Sequence, residues 1–269
     1  MKKLIALAAV ATCGAALAVE SANIVGYQAY ELRDNFNFTV PTFEAVSGAD
    51  LTLGDIKPDF GYGNSSIQLL DDAGACAKVD IDGLGEVDAQ FYYLDTETAA
   101  AMEVSAGWYL VDDMSFEYCQ NARVLPAGQG FLLDCQDSGA KVTYSGAVGT
   151  TDTEVSLIDN FNFTGNLTPA AITLGDVAPD FGYGNSSIQL LDDDGACAKV
   201  DIDGLGEVDA QYYYLDAETA AAMEVSAGWY LVDDMSFEFC QNALAIPAGQ
   251  AFLLDCQDSG AKVTFPSAL

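Results

Sequence analysis

The chain has 269 residues, with 41 acidic against 9 basic side chains, no histidine and a formal charge of −32. Such a surface repels phosphate backbones and anionic lipid, so nucleic acid is excluded as a partner. Without histidine, neither a serine or cysteine triad of the usual kind nor a Cys/His zinc site can be assembled.

Met1-Lys2-Lys3 and the apolar run Leu4 to Leu17, closing in Ala16-Leu17-Ala18, have the charged start, short apolar centre and small-residue end of a secretory signal occupying residues 1–18. The run is shorter than the roughly 20 residues that cross a bilayer, and no later stretch is long and apolar enough. The expected location is therefore secreted, cell surface or periplasm after cleavage near Ala18, with no transmembrane segment in the mature chain. Cleavage removes Lys2 and Lys3 and takes the formal charge from −32 to −34.

Two-residue alternation of β-branched and aromatic residues follows, broken by Gly, Asp, Asn and Pro. In chain order, Ile24 to Leu32, Phe36 to Val40, Ile67 to Leu70, Ala89 to Leu94, Trp108 to Val111, Gly130 to Asp134 and Lys141 to Tyr144 read as strands. Val142 and Tyr144 are expected to face the core, and Lys141 and Thr143 water. Thr52-Leu53-Gly54-Asp55 loosely matches a capping box that Pro58 ends. Asp95 to Val104 carries helix propensity for about two turns, or forms a long hairpin tip.

Residues 54–143 then return almost letter for letter as 175–264, with Trp108 answered by Trp229. A unit copied whole folds as one domain. About seven strands in roughly 120 residues predict an all-β chain of two tandem β-sandwich or partly closed barrel modules with short helical insertions, 19–148 and 149–269. The link near Gly146 to Asp152 is short, so the modules should sit close together.

Three chemistries are candidates. Asp80-Ile81-Asp82-Gly83-Leu84-Gly85-Glu86-Val87-Asp88, repeated as Asp201 to Asp209, spaces carboxylates at alternate positions of a glycine-turned loop. Asp80, Asp82 and Asp88, with Asp201, Asp203 and Asp209, are thus candidate ligands for Ca²⁺, the one cofactor the sequence suggests. Leu84 and Phe91 stand where two further ligands belong, and the competing reading is an acidic β-hairpin whose glycines serve the turn. Phe60-Gly61-Tyr62-Gly63-Asn64-Ser65-Ser66 and its copy mix rings, glycines and amides, making Tyr62, Asn64, Tyr183 and Asn185 candidate glycan-binding residues. Trp108 and Trp229 read as core.

The six mature cysteines in an exported chain favour disulfides. Cys119 with Cys135 and Cys240 with Cys256 bracket a stretch that reads as a hairpin and are the expected pairs. Cys76 and Cys197 are then left over, to stay free or to bridge modules or chains.

Ser21-Ala22-Asn23-Ile24-Val25-Gly26-Tyr27, Asn35-Phe36-Asn37-Phe38, Thr52-Leu53-Gly54-Asp55-Ile56, Phe91-Tyr92-Tyr93, Gly107-Trp108 and Leu125-Pro126-Ala127-Gly128-Gln129-Gly130-Phe131 resemble uncharacterised exported β-repeat proteins of Planctomycetes and Verrucomicrobia-type bacteria. The resemblance implies a secreted or envelope β-module and carries over no functional residues. The functional expectation is a non-enzymatic structural or interaction protein that associates with itself or with envelope components. A glycan- or calcium-binding module is the alternative, and a carboxylate-based hydrolase the third reading.

Overall fold

The computed structural model describes residues 25–43, 51–60, 65–71, 74–113, 115–125, 128–136, 139–181, 186–192, 194–234, 236–257 and 260–267. The expected signal, residues 1–18, lies outside them.

The first copy runs β1 (Val25–Glu31), β2 (Asn35–Thr39), β3 (Lys57–Pro58), β4 (Ser65–Leu69), β5 (Lys78–Ile81), β6 (Gly85–Asp88), β7 (Gln90–Leu94), α1 (Thr96–Ala101), β8 (Gly107–Leu110), β9 (Phe131–Cys135) and β10 (Lys141–Ala147). The second runs β11 (Thr153–Ser156), β12 (Asn160–Gly165), β13 (Ile172–Thr173), β14 (Ala178–Pro179), β15 (Ser186–Leu190), β16 (Lys199–Ile202), β17 (Gly206–Asp209), β18 (Gln211–Leu215), α2 (Ala217–Ala222), β19 (Gly228–Leu231), β20 (Ala245–Ile246), β21 (Ala251–Cys256) and β22 (Lys262–Phe265). All seven strands read from the sequence of the first copy are present.

Each copy builds the same antiparallel sheets. A five-stranded one has the order β2-β9-β4-β7-β8, or β12-β21-β15-β18-β19; a three-stranded one has β1-β10-β3, or β11-β22-β14; and β5-β6 or β16-β17 forms a two-stranded hairpin. The chain is all-β, with 47% strand and 8% helix, and its small sheets are arranged in a four-bladed, propeller-like way more clearly than as two tandem sandwiches.

Alternation explains the packing. On β8 the inward residues Trp108 and Leu110 join Ile67, Phe91, Leu133, Val142 and Tyr144 in one core shared by the five- and three-stranded sheets. Tyr109, pointing the other way, meets Tyr92, Leu94 and Ala99 in a smaller cluster that α1 helps to cover. Both faces of β7 and β8 are therefore buried, which is why Phe91 to Leu94 reads as a continuous apolar run. Trp108 is fully buried, and its Nε1 donates to the Ile56 carbonyl at 3.3 Å. Gly107 (φ +145°) precedes it because a Cβ there would lie 2.2 Å from the Asn121 amide, whose Oδ1 accepts from Trp108 N at 2.9 Å.

The capping box exists as read: Asp55 Oδ2 accepts from Thr52 N at 2.9 Å and from Thr52 Oγ1 at 2.7 Å, ahead of the 3-10 turn Leu53–Asp55. The Asp95 stretch is both: it closes the long β7-β8 hairpin, in which Leu94 pairs with Gly107, and it does so as a helix because Asp95 caps it, accepting from Glu97 N and Thr98 N.

The copies lean on one another reciprocally. Phe38 of β2 and its equivalent Phe163 of β12 stack with ring centroids 6.4 Å apart and 23° between planes. A Cβ at Gly74 would touch Phe163, and one at the equivalent Gly195 would touch Phe38. Backbone bonds cross the seam from Val40 N to the Gly249 carbonyl (3.1 Å) and from Gly130 N to the Phe163 carbonyl (2.8 Å). Equivalent residues meeting equivalent residues is the mark of an isologous contact, here made within one chain.

Some differences between the copies add or remove polar groups inside the core. Arg123 lies over the Phe91 ring, 5.7 Å from its centroid, whereas the second copy has Tyr212 and Leu244 at those positions. The Tyr212 hydroxyl is buried with no hydrogen-bond partner among the described residues, and burial pushes its pKa up to about 12. Tyr212→Phe should therefore stabilise the protein by about 1 kcal/mol, raising Tm by roughly 2–4 °C in thermal unfolding. An unchanged or lower Tm would show that the hydroxyl is satisfied.

Candidate functional site

The acidic repeats form the hairpins β5-β6 and β16-β17. Asp80 sits opposite Glu86 and Lys78 opposite Asp88, with Asp201 opposite Glu207 and Lys199 opposite Asp209 in the second copy. Lys78 bridges Asp88 and Lys199 bridges Asp209, both on the exposed surface. Asp82 and Asp203 occupy the turns, where Gly83 and Gly85 take φ +95° and +78°. These carboxylates are strung along one face of a ladder, with Asp88 and Asp209 already engaged by lysine. Of the two readings the spacing allows, the backbone takes the acidic β-hairpin, with the glycines serving the turn. Among the described residues, no group of three or more acidic, cysteine or histidine side chains converges as metal ligands do.

The candidate glycan residues Tyr62, Asn64, Tyr183 and Asn185 lie outside the described residues. The tryptophans are core, as read.

The expected pairs Cys119–Cys135 and Cys240–Cys256 are not formed: no disulfide is present among the described residues. Topology gives the reason. Cys119 bridges Tyr109 beyond the β8 edge, Tyr109 pairs with Tyr92, Tyr92 with Ser66 and Ser66 with Asp134, the neighbour of Cys135. Four strand spacings, about 19 Å, separate the two, whereas a disulfide needs Cα atoms within about 7 Å. The stretch between them was read as a hairpin, but it crosses the sheet from its outer edge to an inner strand. Cys76, bridged to Leu70, lies at the other end of β4 from Ser65, which pairs with Cys135.

Asp113 and Asp234 are buried structural carboxylates. Asp113 accepts from Ser115 N (3.0 Å), Ser115 Oγ (2.7 Å) and Tyr118 N (2.7 Å), and Asp234 repeats the pattern with Ser236 and Phe239. Burial alone would raise the Asp113 pKa, but these donors outweigh it and hold the carboxyl below its ordinary value. Asp134 is shifted the other way, first by burial and then by the neighbouring Asp34 carboxylate, and Asp255 likewise by burial and Asp159.

Sequence reasoning missed the seam between the copies, where two equivalent clefts lie. One, of about 220 Å³, is walled by Tyr30, Arg33 and Phe38 of the first copy and Asp192 and Gln250 of the second. The other, of about 280 Å³, is walled by Asp71 and Gln129 of the first copy and Phe161, Asn162, Phe163 and Thr164 of the second. Phe38 answers to Phe163, Asp192 to Asp71 and Gln250 to Gln129, but Arg33 answers to Ile158 and Tyr30 to Val155. The only sequence signal was the shared Asn-Phe-Asn-Phe-Thr, whose alternation on β2 and β12 puts two rings on one face.

Two predictions follow from these groups. Asp113→Asn should cost about 2 kcal/mol at neutral pH by removing a charged acceptor. Because the folded carboxyl titrates below its unfolded value of about 4, this contribution is present above pH about 4 and is lost as pH falls through the folded value, so wild-type and variant melts should converge in acid. In thiol labelling of the native protein, the exposed Cys119 and Cys240 should react first and the buried Cys135 and Cys256 only on unfolding. Protection of Cys119 together with Cys135 would instead reveal a bond. No family model matches the chain, and neither a curated protein nor a solved structure matches it significantly.

Proposed function

We propose that the protein is a non-enzymatic structural and interaction protein of the cell exterior or envelope, released by signal cleavage near Ala18 and built of two modules, 19–148 and 149–269. In this reading each module is a two-layer β-unit whose five- and three-stranded sheets share a core, and the modules act through contacts with other copies or with envelope material. The observation that carries it is the reciprocal seam, in which Phe38 meets Phe163 and each stands against the other copy's glycine turn. A module whose surface already recognises its own copy has the chemistry of homotypic association.

Further association would use what the seam leaves open. β1 is an edge of its three-stranded sheet and carries Tyr27, 75% exposed. An aromatic residue on an uncovered edge is a natural pairing point. Net charge opposes the contact: with a mature charge of −34, copies repel one another until salt screens them.

Sedimentation velocity of the mature protein tests this. Average mass should rise as ionic strength goes from about 0.01 M, where the Debye length is about 30 Å, to about 1 M, where it is about 3 Å. Tyr27→Asp should reduce the rise. A monomer at every salt concentration, recovered only from the medium and not with the envelope, would count against the proposal.

A further inference from the structure

We infer that the larger seam cleft, closed by Thr164 and Phe161, is a binding site for a neutral saccharide ring. This goes beyond the structural role, and its truth does not depend on whether the chain self-associates.

The argument starts from a broken equivalence. In the first copy Thr39 Oγ1 donates to the Gly249 carbonyl at 2.9 Å and accepts from the Tyr144 hydroxyl at 3.4 Å. At the equivalent place in the second copy, Phe265 stands where Tyr144 would be, and Thr164 Oγ1 is buried with no hydrogen-bond partner among the described residues. Thr164 is 1% exposed and lines the cleft of about 280 Å³. A buried hydroxyl left unmade costs on the order of 1–3 kcal/mol, which a ligand hydroxyl reaching it past the β12 edge would recover.

The remaining walls define the ligand. Phe161 and Phe163 supply aromatic surface of the kind on which the apolar face of a pyranose stacks. Asp71 and Gln129 bring a carboxylate and an amide, the mixed donors and acceptors that sugar hydroxyls use, while the Asn162 amide is engaged by Ile158, Asn160 and Leu254 backbone. Gln129 is held in place by donating Nε2 to the Leu70 carbonyl at 3.1 Å, and Asp71 by accepting from Ala75 N at 2.8 Å. No Lys or Arg is among the wall residues, so the Asp71 carboxylate inside a strongly acidic protein selects against anions. The volume, about 280 Å³, falls just below the roughly 300–1,000 Å³ of ligand pockets, the scale of one ring and not of a polymer segment. The equivalent cleft has Arg33 where this one has Ile158, and Thr39, the counterpart of Thr164, is hydrogen-bonded and does not line it, so it is an internal contrast.

Saturation-transfer NMR on the mature full-length protein tests the site with glucose, galactose, mannose and N-acetylglucosamine as neutral probes and glucuronate as the anionic one. At least one neutral sugar should bind, and Thr164→Val should weaken it tenfold or more without lowering Tm, since the substitution deletes an unpaired hydroxyl. Phe161→Ala should weaken it as well. Absence of binding by all four neutral sugars, affinity unchanged in Thr164→Val, or glucuronate binding as tightly as the neutral sugars would each overturn the assignment. So would a crystal structure in which an ordered water alone satisfies Thr164.

Discussion

The architecture depends on how two sheet edges are covered. β2 and β12 are edge strands of the two five-stranded sheets, and an uncovered edge presents backbone donors and acceptors to any passing strand. Each lies against the other copy: Val40 and Thr39 reach the Gly249 carbonyl, and Phe163 accepts from Gly130. With Phe38 and Phe163 stacked across the seam, the edges are closed by the duplication itself. Both clefts exist because this closure is incomplete beside the stacked rings.

Within each copy the sequence was informative because the period of two and burial agree. Val142 and Tyr144 are buried and Lys141 exposed, as alternation requires, and Gly107-Trp108 opens a core strand. Short-range chemistry was equally legible: the Thr52–Asp55 box and the Asp95 cap are contacts between residues two to three apart, which spacing alone can announce. The acidic stretch was ambiguous because alternating carboxylates serve a metal loop and a hairpin face alike. Only the register, Lys78 against Asp88, separates the two.

What spacing could not supply was the order of strands across a sheet. Cys119 and Cys135 are sixteen positions apart in the chain, yet three other strands come between them, so a pairing plausible along the chain is impossible across it. The clefts were hidden for a related reason. Asp71 and Phe161 share a cavity only after the two copies dock, and no local pattern encodes that docking. Comparing the copies with each other was the more telling signal, since Phe91 against Tyr212 and Tyr144 against Phe265 mark where a hydroxyl was gained or lost inside otherwise repeated surroundings.

Joining the copies in one chain has a genetic consequence. A homodimer of a single unit would carry its two seam cavities as identical twins, and every mutation would strike both. Fusion lifts that obligation: Arg33 can appear on one side while Ile158 remains on the other, with the stacked rings between them undisturbed. One gene product can thereby keep a conserved hinge of symmetry and still acquire two pockets of different taste.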